Sequence, residues 1–189
     1  MSKITFREIL VDDAELVLSW RTKKRITNYM ATDLNISTSD QKNWIKNSYN
    51  KKNYYHWMIL LNEEPIGTIC IKDINLENKS TSWGFYIGND KYLGYGGFIP
   101  PYFYNWVFNN LNIIEIKAYV FHPLIKVIGL HQIHGYKFIL EENSLIKKNS
   151  KEIVVIAMSL SADNWKKNSY KKFISDFPVS KWLYKNLIT

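Results

Sequence analysis

The most chemically informative stretch of the sequence is a glycine-rich segment, Lys91-Tyr92-Leu93-Gly94-Tyr95-Gly96-Gly97, between a predicted strand and a predicted helix. A glycine-rich turn at the start of a helix directs several backbone N–H groups at one point, where the helix dipole favours negative charge. Glycine suits such a turn either because a Cβ would block the approach of a phosphate or because the turn requires a positive φ. The segment therefore predicts a pyrophosphate site, with an ordinary flexible turn as the alternative. It matches neither a Walker loop nor a dinucleotide fingerprint.

Composition narrows the class of protein. The 189-residue chain is the size of one domain, and its 46% hydrophobic content supports a sizeable core. No apolar run is long enough to cross a bilayer, and the N-terminus becomes charged too early for a signal peptide. Cys70 is the only cysteine, which excludes an internal disulfide and a multi-cysteine metal site. We therefore expect a cytoplasmic protein without a membrane segment or a bound metal.

The net charge of +8 comes almost entirely from lysine and accompanies an aromatic content of 15%. Such a combination is typical of a nucleic-acid-binding protein, of a protein with an anionic cofactor, or of a lysine-rich composition without functional meaning. The lysines are scattered in pairs rather than gathered into a stripe, and no RNA-binding motif is present. A non-enzymatic, basic RNA-binding module is therefore the least favoured class.

Periodicity places the glycine-rich segment within an α+β domain. Predicted strands occupy residues 4–10, 54–61, 66–74, 81–87, 113–121 and 153–158, with another beginning at Gly135. Predicted helices lie after Asp12 or Asp13, around Ile26 to Met30, after the capping signal at residues 37–41, and at residues 98–111 and 124–134. This order predicts three layers, in which helices flank a twisted, mixed and mostly antiparallel sheet of about seven strands.

Several motifs in this order resemble those of the GNAT acyltransferase superfamily. Lys91-x-x-Gly94-x-Gly96 resembles its acetyl-CoA loop, Gln/Arg-x-x-Gly-x-Gly/Ala, and residues 120–122 and 130–138 resemble its fifth strand and following helix. The resemblance extends over residues 3–160, so we expect a GNAT domain at residues 1–160. Residues 161–189 are rich in aromatic side chains, and we expect them to form a helical tail packed on the domain or on a partner.

The GNAT resemblance implies that the fourth and fifth strands splay apart and hold the pantetheine arm of acetyl-CoA between them. It implies that backbone groups of Phe85, Tyr86 and Ile87 pair with that arm. The other implied cofactor-binding residues are Lys91, Tyr92, Leu93, Gly94, Tyr95, Gly96, Gly97, Phe121, His122 and Lys126. Two positions depart from the family pattern. Leu124 replaces an asparagine that often contacts the cofactor, and Pro100-Pro101 is expected to shift or shorten the helix after the glycine-rich segment.

Acetylation requires an amine to lose a proton and a thiolate to gain one. Many GNAT members use a tyrosine on the helix after the fifth strand as the acid, and His131 occupies that position here. A histidine with an ordinary pKa of ~6.5 can donate a proton, and Tyr136 and Tyr95 are alternative donors. The fourth strand lacks a glutamate base, so we expect the amine proton to leave through water, with His56 or Ser82 as a relay.

Leu18-Ser19-Trp20-Arg21 and residues 116–121 resemble, more narrowly, a subgroup that acetylates the 4-amino group of a nucleotide-linked amino sugar in pseudaminic acid biosynthesis. The resemblance implies a small-molecule amine acceptor, with candidate contacts from Trp20, Arg21, Met30, Trp57 and Trp83. Ribosomal-protein and spermidine acetyltransferases share part of the Trp-Arg opening, so acetylation of a protein N-terminus or a polyamine is the alternative. The small number of acidic residues disfavours the polyamine. The sequence leaves a homodimer open.

Overall fold

The computed structural model describes residues 3–32, 34–51 and 53–179. Within these ranges the strands are β1 (Ile4–Glu8), β2 (Tyr54–Leu61), β3 (Glu64–Asn75), β4 (Ser80–Ile87), β5 (Glu115–Phe121), β6 (Lys137–Phe138), β7 (Ser144–Lys148) and β8 (Lys151–Ser161). The α-helices are α1 (Ala14–Arg21), α2 (Lys24–Thr27), α3 (Thr38–Ser48), α4 (Ile99–Asn110), α5 (Ile125–Ile133) and α6 (Ala162–Lys166). Short 3₁₀ turns cover Val11–Asp13, Asp90–Tyr95, Leu140–Glu142 and Ser169–Lys172.

The eight strands form one sheet in the order β1-β2-β3-β4-β5-β8-β6. β7 also pairs with β8, on the same edge as β6 but at a different place along the strand. Neighbouring strands are antiparallel, except for β4 and β5, which run parallel. The predicted α+β fold, with helices flanking a mixed and mostly antiparallel sheet, is confirmed. The sheet has eight strands rather than about seven.

The strand that the sequence pattern missed is β7. Its residues, Ser-Leu-Ile-Lys-Lys, do not alternate between apolar and polar, and two lysines followed by Asn149-Ser150 are typical of a polar loop. In the structure Asn149 and Ser150 both have positive φ (50° and 60°) and form the tight turn between β7 and β8. The missed strand is thus one arm of a hairpin that extends the far edge of the sheet.

The starts of α3 and α1 differ in whether the predicted capping side chain caps the helix. The predicted start of α3 is confirmed, because Ser37 Oγ accepts from the Asp40 N–H at 3.1 Å and the Asp40 carboxylate accepts from the Ser37 N–H at 2.9 Å. Asp13, by contrast, does not cap α1 with its side chain. Its carboxylate accepts from the Leu10 N–H at 2.7 Å and from the Arg7 guanidinium at 2.7 and 2.8 Å. A 3₁₀ turn therefore precedes α1.

Each face of the sheet carries its own apolar core. On one face, which we call the α4 face, residues of β2, β3 and β4 pack with α4 in a large core that includes Trp57, Trp83 and Phe103. On the other, which we call the α1 face, α1, α2 and α3 cover Met58 in a smaller core. Because side chains alternate along a strand, neighbouring residues of β4 face different layers. No helix in the described ranges is long and apolar enough to cross a membrane.

The chain after β8 returns to the α4 core. Phe177 is buried, and its ring stacks on that of Phe6 with centroids 4.0 Å apart. The Trp57 indole N–H donates to the Pro178 carbonyl at 2.5 Å. Residues 161–179 thus pack on the domain through α6, a 3₁₀ turn and an extended segment. The remainder of the expected tail, residues 180–189, lies outside the described residues.

Candidate functional site

The central feature of the site is a gap between two neighbouring strands. β4 and β5 pair only at Ser80–Ser82 with Glu115–Lys117, and their ladder ends there. β5 continues to Phe121 with β8 on its other side, while β4 continues to Ile87 with β3 on its other side. From Trp83 onward, the backbone of β4 therefore presents a strand edge to the gap. An extended ligand can pair with such an edge as an added strand.

The glycine-rich segment lies at the open end of this gap, directly after β4. Asn89 caps its 3₁₀ turn by accepting from the Lys91 N–H at 3.1 Å. A Cβ built on Gly94 would meet no atom within 4 Å. Gly135 is the one glycine in the described ranges that has a positive φ, so backbone strain does not explain the segment's glycines. Of the two reasons for glycine, a positive φ is excluded at Gly94, Gly96 and Gly97, and Gly94 alone of the three borders space that a Cβ would find empty.

The start of α4 determines which amides can face that space. Pro100 and Pro101 lie in its first turn and have no N–H to offer, yet α4 runs the full twelve residues from Ile99 to Asn110. The expectation that these prolines shorten the helix is therefore wrong. Before it, the Gly96 N–H is bonded to Leu93 O and the Phe98 N–H to Tyr95 O. Gly97 and Ile99 carry the N–H groups of this turn without a backbone acceptor in the described part of the chain.

Two basic side chains join α2 to the end of β4. Lys23 Nζ donates to Gly88 O at 3.0 Å and to the Asp90 carboxylate at 2.7 Å, and Arg25 also binds Asp90. Arg25 further donates to the carbonyls of Ile87 and Gly88, both at 2.8 Å. Lys23, followed by Arg25, holds the pKa of the Asp90 carboxyl below its ordinary value. These contacts fix the α1–α2 unit over the open end of the gap.

Arg21, at the end of α1, reaches over the α1 face beside the gap. Its Nη1 is shielded from solvent and has no hydrogen-bond partner among the residues described, while Nη2 lies 3.4 Å from Thr32 Oγ1. Burial raises the pKa of the phenols of Tyr54 and Tyr86, that of Tyr86 to about 12, and the Arg21 charge opposes this rise in both. The guanidinium therefore lies near both rings with donor capacity unused.

Comparison with known proteins identifies this arrangement. The model of the acetyltransferase (GNAT) domain family matches residues 3–137. The chain belongs to the GNAT acetyltransferase family. It is similar to the acetyltransferase PseH of Campylobacter jejuni, with 26% identity over 127 residues that cover 67% of this chain and 78% of the relative.

Solved structures support the GNAT fold independently. The spermidine N-acetyltransferase from Vibrio cholerae in complex with CoA and spermine matches with a TM-score of 0.78 and 15% identity, over 86% of this chain and 98% of that one. The aminoglycoside acetyltransferase AAC(6')-Ib in complex with coenzyme A matches with a TM-score of 0.70 and 12% identity, over 88% and 99% of the two chains. At such identities the likeness is one of fold.

The residues expected to bind acetyl-CoA line the gap and its open end. Phe85 is partly buried and stacks on Trp83 with centroids 5.4 Å apart, while Ile87 is buried in the α4 core. Tyr86 lies on the α1 face opposite Thr68. In the glycine-rich segment, Leu93 is exposed and the Lys91 ammonium lies 5.1 Å from the Tyr92 ring centroid.

On the β5 side of the gap, Phe121 is buried at the end of the strand. His122 and Lys126 are exposed. Leu124, which replaces the family's frequent asparagine, directly precedes α5, and its N–H is bonded to Phe121 O at 2.8 Å. A Cβ on Gly97 would lie 3.8 Å from Leu130 Cδ1, so the glycine-rich segment and α5 approach each other. The exposed side chains of His122 and Lys126 therefore flank the same open end as the glycine-rich segment.

The five expected acceptor contacts separate into two groups. Arg21 and Met30 lie on the α1 side of the molecule, close to the gap's open end. Trp20 is buried beneath Gly88, where a Cβ would approach its ring to 2.0 Å. Trp57 and Trp83 are buried in the α4 core, where the indole N–H of Trp83 donates to Tyr136 Oη at 2.9 Å. The three tryptophans are therefore core residues that support the site, and they expose little surface that an acceptor molecule could contact.

His131, the expected acid, is 3% exposed and stacks on Tyr136 with ring centroids 4.8 Å apart. Burial, together with neighbouring His134, lowers its pKa to about 4, so the ring is neutral near pH 7. Burial also raises the pKa of the Tyr136 phenol. Tyr95, the third candidate, is partly buried against the α4 core. The geometry of the His131 ring is that of an aromatic packing group between Tyr136 and Trp83.

The two expected relays occupy different places. His56 lies beneath α3, with Nε2 3.2 Å from Ser48 Oγ, and burial lowers its pKa to about 4. Ser82 lies where the β4–β5 ladder ends, and its hydroxyl donates to the Asp73 carboxylate at 2.5 Å. Asp73 has a positive φ of 53° at an irregularity of β3, which turns it towards Ser82. Asp73 carried no motif, so sequence reasoning missed it.

A second group that sequence reasoning missed lies on β5, facing the same layer as Ser82. Lys117 Nζ binds the Glu142 carboxylate at 2.5 Å, and Tyr119 Oη donates to the other oxygen at 3.1 Å. Burial and the charges of Glu142 and Asp73 raise the pKa of the Tyr119 phenol. The alternation of Lys117 and Tyr119 with buried Ile116 and Ala118 was the signal that could have placed them on this face.

Proposed function

We propose that this GNAT protein transfers an acetyl group from acetyl-CoA to the primary amine of a small, anionic acceptor, best represented by a nucleotide-linked amino sugar. The observation that carries the acceptor class is the buried, unpartnered Nη1 of Arg21 beside the gap. A charged hydrogen-bond donor that is removed from water carries a free-energy cost unless a hydrogen-bond acceptor pairs with it. A phosphate or carboxylate oxygen of the acceptor molecule would meet it with a short, charge-assisted hydrogen bond.

The cofactor residues of this chain fit a nucleotide thioester. The open space at Gly94 and the amides of Gly97 and Ile99 suit its diphosphate, and the free edge of β4 from Trp83 suits its extended arm. Acetyl-CoA supplies an activated acetyl group. The chain's contribution is to hold that group at the gap, where β4 amides can stabilise negative charge on its carbonyl oxygen.

Deprotonation of the amine is assigned to Ser82 and Asp73. The proton lost by the acceptor would pass through water and the Ser82 hydroxyl to the Asp73 carboxylate, which is exposed and can release it to solvent. His56 is excluded from this path by its place beneath α3. We assign His131 a packing role, because a pKa of about 4 leaves few imidazolium ions to protonate a thiolate near pH 7. As the amine nitrogen bonds to the acetyl carbon, the carbon–sulfur bond breaks, and the CoA thiolate that leaves takes its proton from water at the open gap.

The alternative acceptors fit the α1 face less well. A polyamine would bring positive charge to Arg21, and the nearby carboxylates of Glu142 and Asp73 are already bonded to Lys117 and Ser82. The fold likeness to spermidine acetyltransferases is at 15% identity and does not determine the substrate. The resemblance of the opening helix, including Arg21, to enzymes of nucleotide-linked amino sugars favours the anionic acceptor, and with it a cytoplasmic location.

An acceptor panel tests the proposal. Purified protein and acetyl-CoA are assayed for thiol release with a nucleotide-linked 4-amino sugar, spermidine and a peptide with a free N-terminus. Arg21→Met removes the charged donor, and a charged hydrogen bond contributes about 1.5–3 kcal/mol, so KM for the sugar should rise roughly 10- to 100-fold. Lys46→Met removes an equal charge from an exposed position of α3, outside the site, and should leave KM unchanged. Faster turnover of spermidine, insensitive to Arg21→Met, would contradict the assignment.

A further inference from the structure

A buried lysine on β7 lies outside the machinery described so far. Lys148 is only 7% exposed, although lysine is normally at the surface. Its Nζ donates to Thr27 O at 2.5 Å and to Met30 O at 2.6 Å. These two carbonyls belong to the end of α2 and the turn that follows it. The ammonium therefore holds the C-terminal end of α2 by short, charge-assisted hydrogen bonds.

The two ends of this segment are attached on opposite sides of the β4–β5 gap. At its start, Lys23 and Arg25 bind the carbonyls at the end of β4. At its end, Lys148 belongs to β7, which is separated from β4 by the gap, by β5 and by β8. The segment Lys24–Met30 must therefore span from one side of the gap to the other.

Strand register determines the face and the end at which this span lies. Ser144 of β7 is level with Val155 of β8, which is level with Phe121 at the end of β5. Lys148 lies four residues beyond Ser144 and so shares its face, which is also that of Tyr119 and Phe121. The span thus crosses the α1 face at the open ends of β4 and β5.

We propose that Lys148 and the segment Lys24–Met30 form a clasp that closes the open end of the gap on the α1 face and limits the acceptor entrance. The other end of the entrance is closed by the ladder of Ser80–Ser82 with Glu115–Lys117. An entrance bounded at both ends admits an amine on a slender small molecule and excludes the terminus of a folded protein. Lys148 acts as a positioning residue, and its effect on the acceptor rests on the proposed function.

Hydrogen exchange tests the clasp without requiring activity. Lys148→Met keeps the length of the side chain but removes the ammonium, so amides of residues 24–31 should exchange about tenfold faster or more, as expected from the loss of charged hydrogen bonds. Lys147→Met, on the exposed face of the same strand, is the matched control and should leave exchange unchanged. Amides of β2 and β3 report global folding and should be unaffected in both variants.

Kinetics then test the entrance. Lys148→Met should raise KM for the acceptor at least tenfold while leaving KM for acetyl-CoA and kcat within about threefold. A merely structural role would lower kcat and affect both substrates together. Lys148→Gln, which keeps an uncharged N–H donor group, should give intermediate exchange and an intermediate KM, and it provides the same test if Lys148→Met does not fold.

Two results would overturn the clasp: unchanged exchange at residues 24–31 in Lys148→Met and Lys148→Gln, or faster exchange without any change in acceptor KM relative to Lys147→Met. Failure of the proposed function is recognised separately, because the wild-type protein would then acetylate no amine in the panel. The exchange measurement would still decide whether Lys148 holds α2.

Discussion

Gly94→Val separates folding from cofactor binding more cleanly than any other change in the glycine-rich segment. A Cβ at this position meets no atom within 4 Å, and Gly94 is not among the residues with a positive φ. The substitution therefore introduces neither a clash nor backbone strain into the free protein. The valine methyl groups instead enter the open space that we assign to the diphosphate of acetyl-CoA.

The magnitude follows from ligand linkage. Acetyl-CoA at about 100 times its dissociation constant should stabilise the wild-type protein by ~2.7 kcal/mol. For a domain of this size, each kcal/mol shifts Tm by roughly 2–4 °C, so the ligand should raise Tm by about 5–10 °C. In Gly94→Val we expect the free protein to melt within about 2 °C of wild type and the ligand-induced rise to disappear.

The assay is a thermal-shift titration with acetyl-CoA, checked by calorimetry. Gly129→Val is the matched control, because Gly129 lies in α5 and its Cβ also meets no atom within 4 Å. The control should keep the full ligand-induced rise. A Gly94→Val protein that retains this rise would refute the assignment of the diphosphate to the open space. A large fall in Tm without ligand would refute the absence of strain.

Two further predictions concern buried histidines. His131→Gln should lower kcat by less than about tenfold, whereas a loss of 10²–10⁴-fold, which is typical of a missing general acid, would restore the catalytic role. His131 and His134 both have a pKa of about 4, lowered by burial, against ~6.5 in the unfolded chain. The unfolded state therefore binds more protons between pH 6.5 and pH 4, so stability should fall as pH falls through this window, by up to about 3 kcal/mol for each residue. Urea unfolding at pH 7 and pH 5 measures this loss. A His134→Leu variant whose free energy of unfolding changes with pH as steeply as that of the wild type would contradict it.

Much of the fold could be read from local patterns. The boundaries of β2 match the prediction, because a β-rich apolar run ends at the turn around Asn62-Glu63-Glu64-Pro65. The start of α3 follows from Ser37 and Asp40, whose capping bonds involve only neighbouring residues. β7 was missed because it is held in place by its pairing with β8, and its own residues carry little strand pattern.

The aromatic residues show why the sequence alone could not separate ligand-binding side chains from core side chains. Trp20, Trp57 and Trp83 are residue types that can stack on a ligand, and the same types fill apolar cores. Which role they take depends on what packs against them, and here Gly88, Pro178 and Tyr136 do so. Arg21 differs because the Nη1 of its guanidinium has no hydrogen-bond partner among the described residues after folding, which periodicity could not indicate.

The sequence by itself determined the family and the place of the glycine-rich segment between β4 and α4, because the glycine spacing of residues 91–97 and the order of elements are local, consecutive features. The tertiary structure decided everything that depends on residues distant in sequence. The end of the β4–β5 ladder at Ser82, its bond to Asp73, the neutral state of His131 and the contact of Lys148 with α2 all arise from packing between separate elements. Burial and hydrogen-bond partners determine what such groups can do, and neither is visible until the chain has folded.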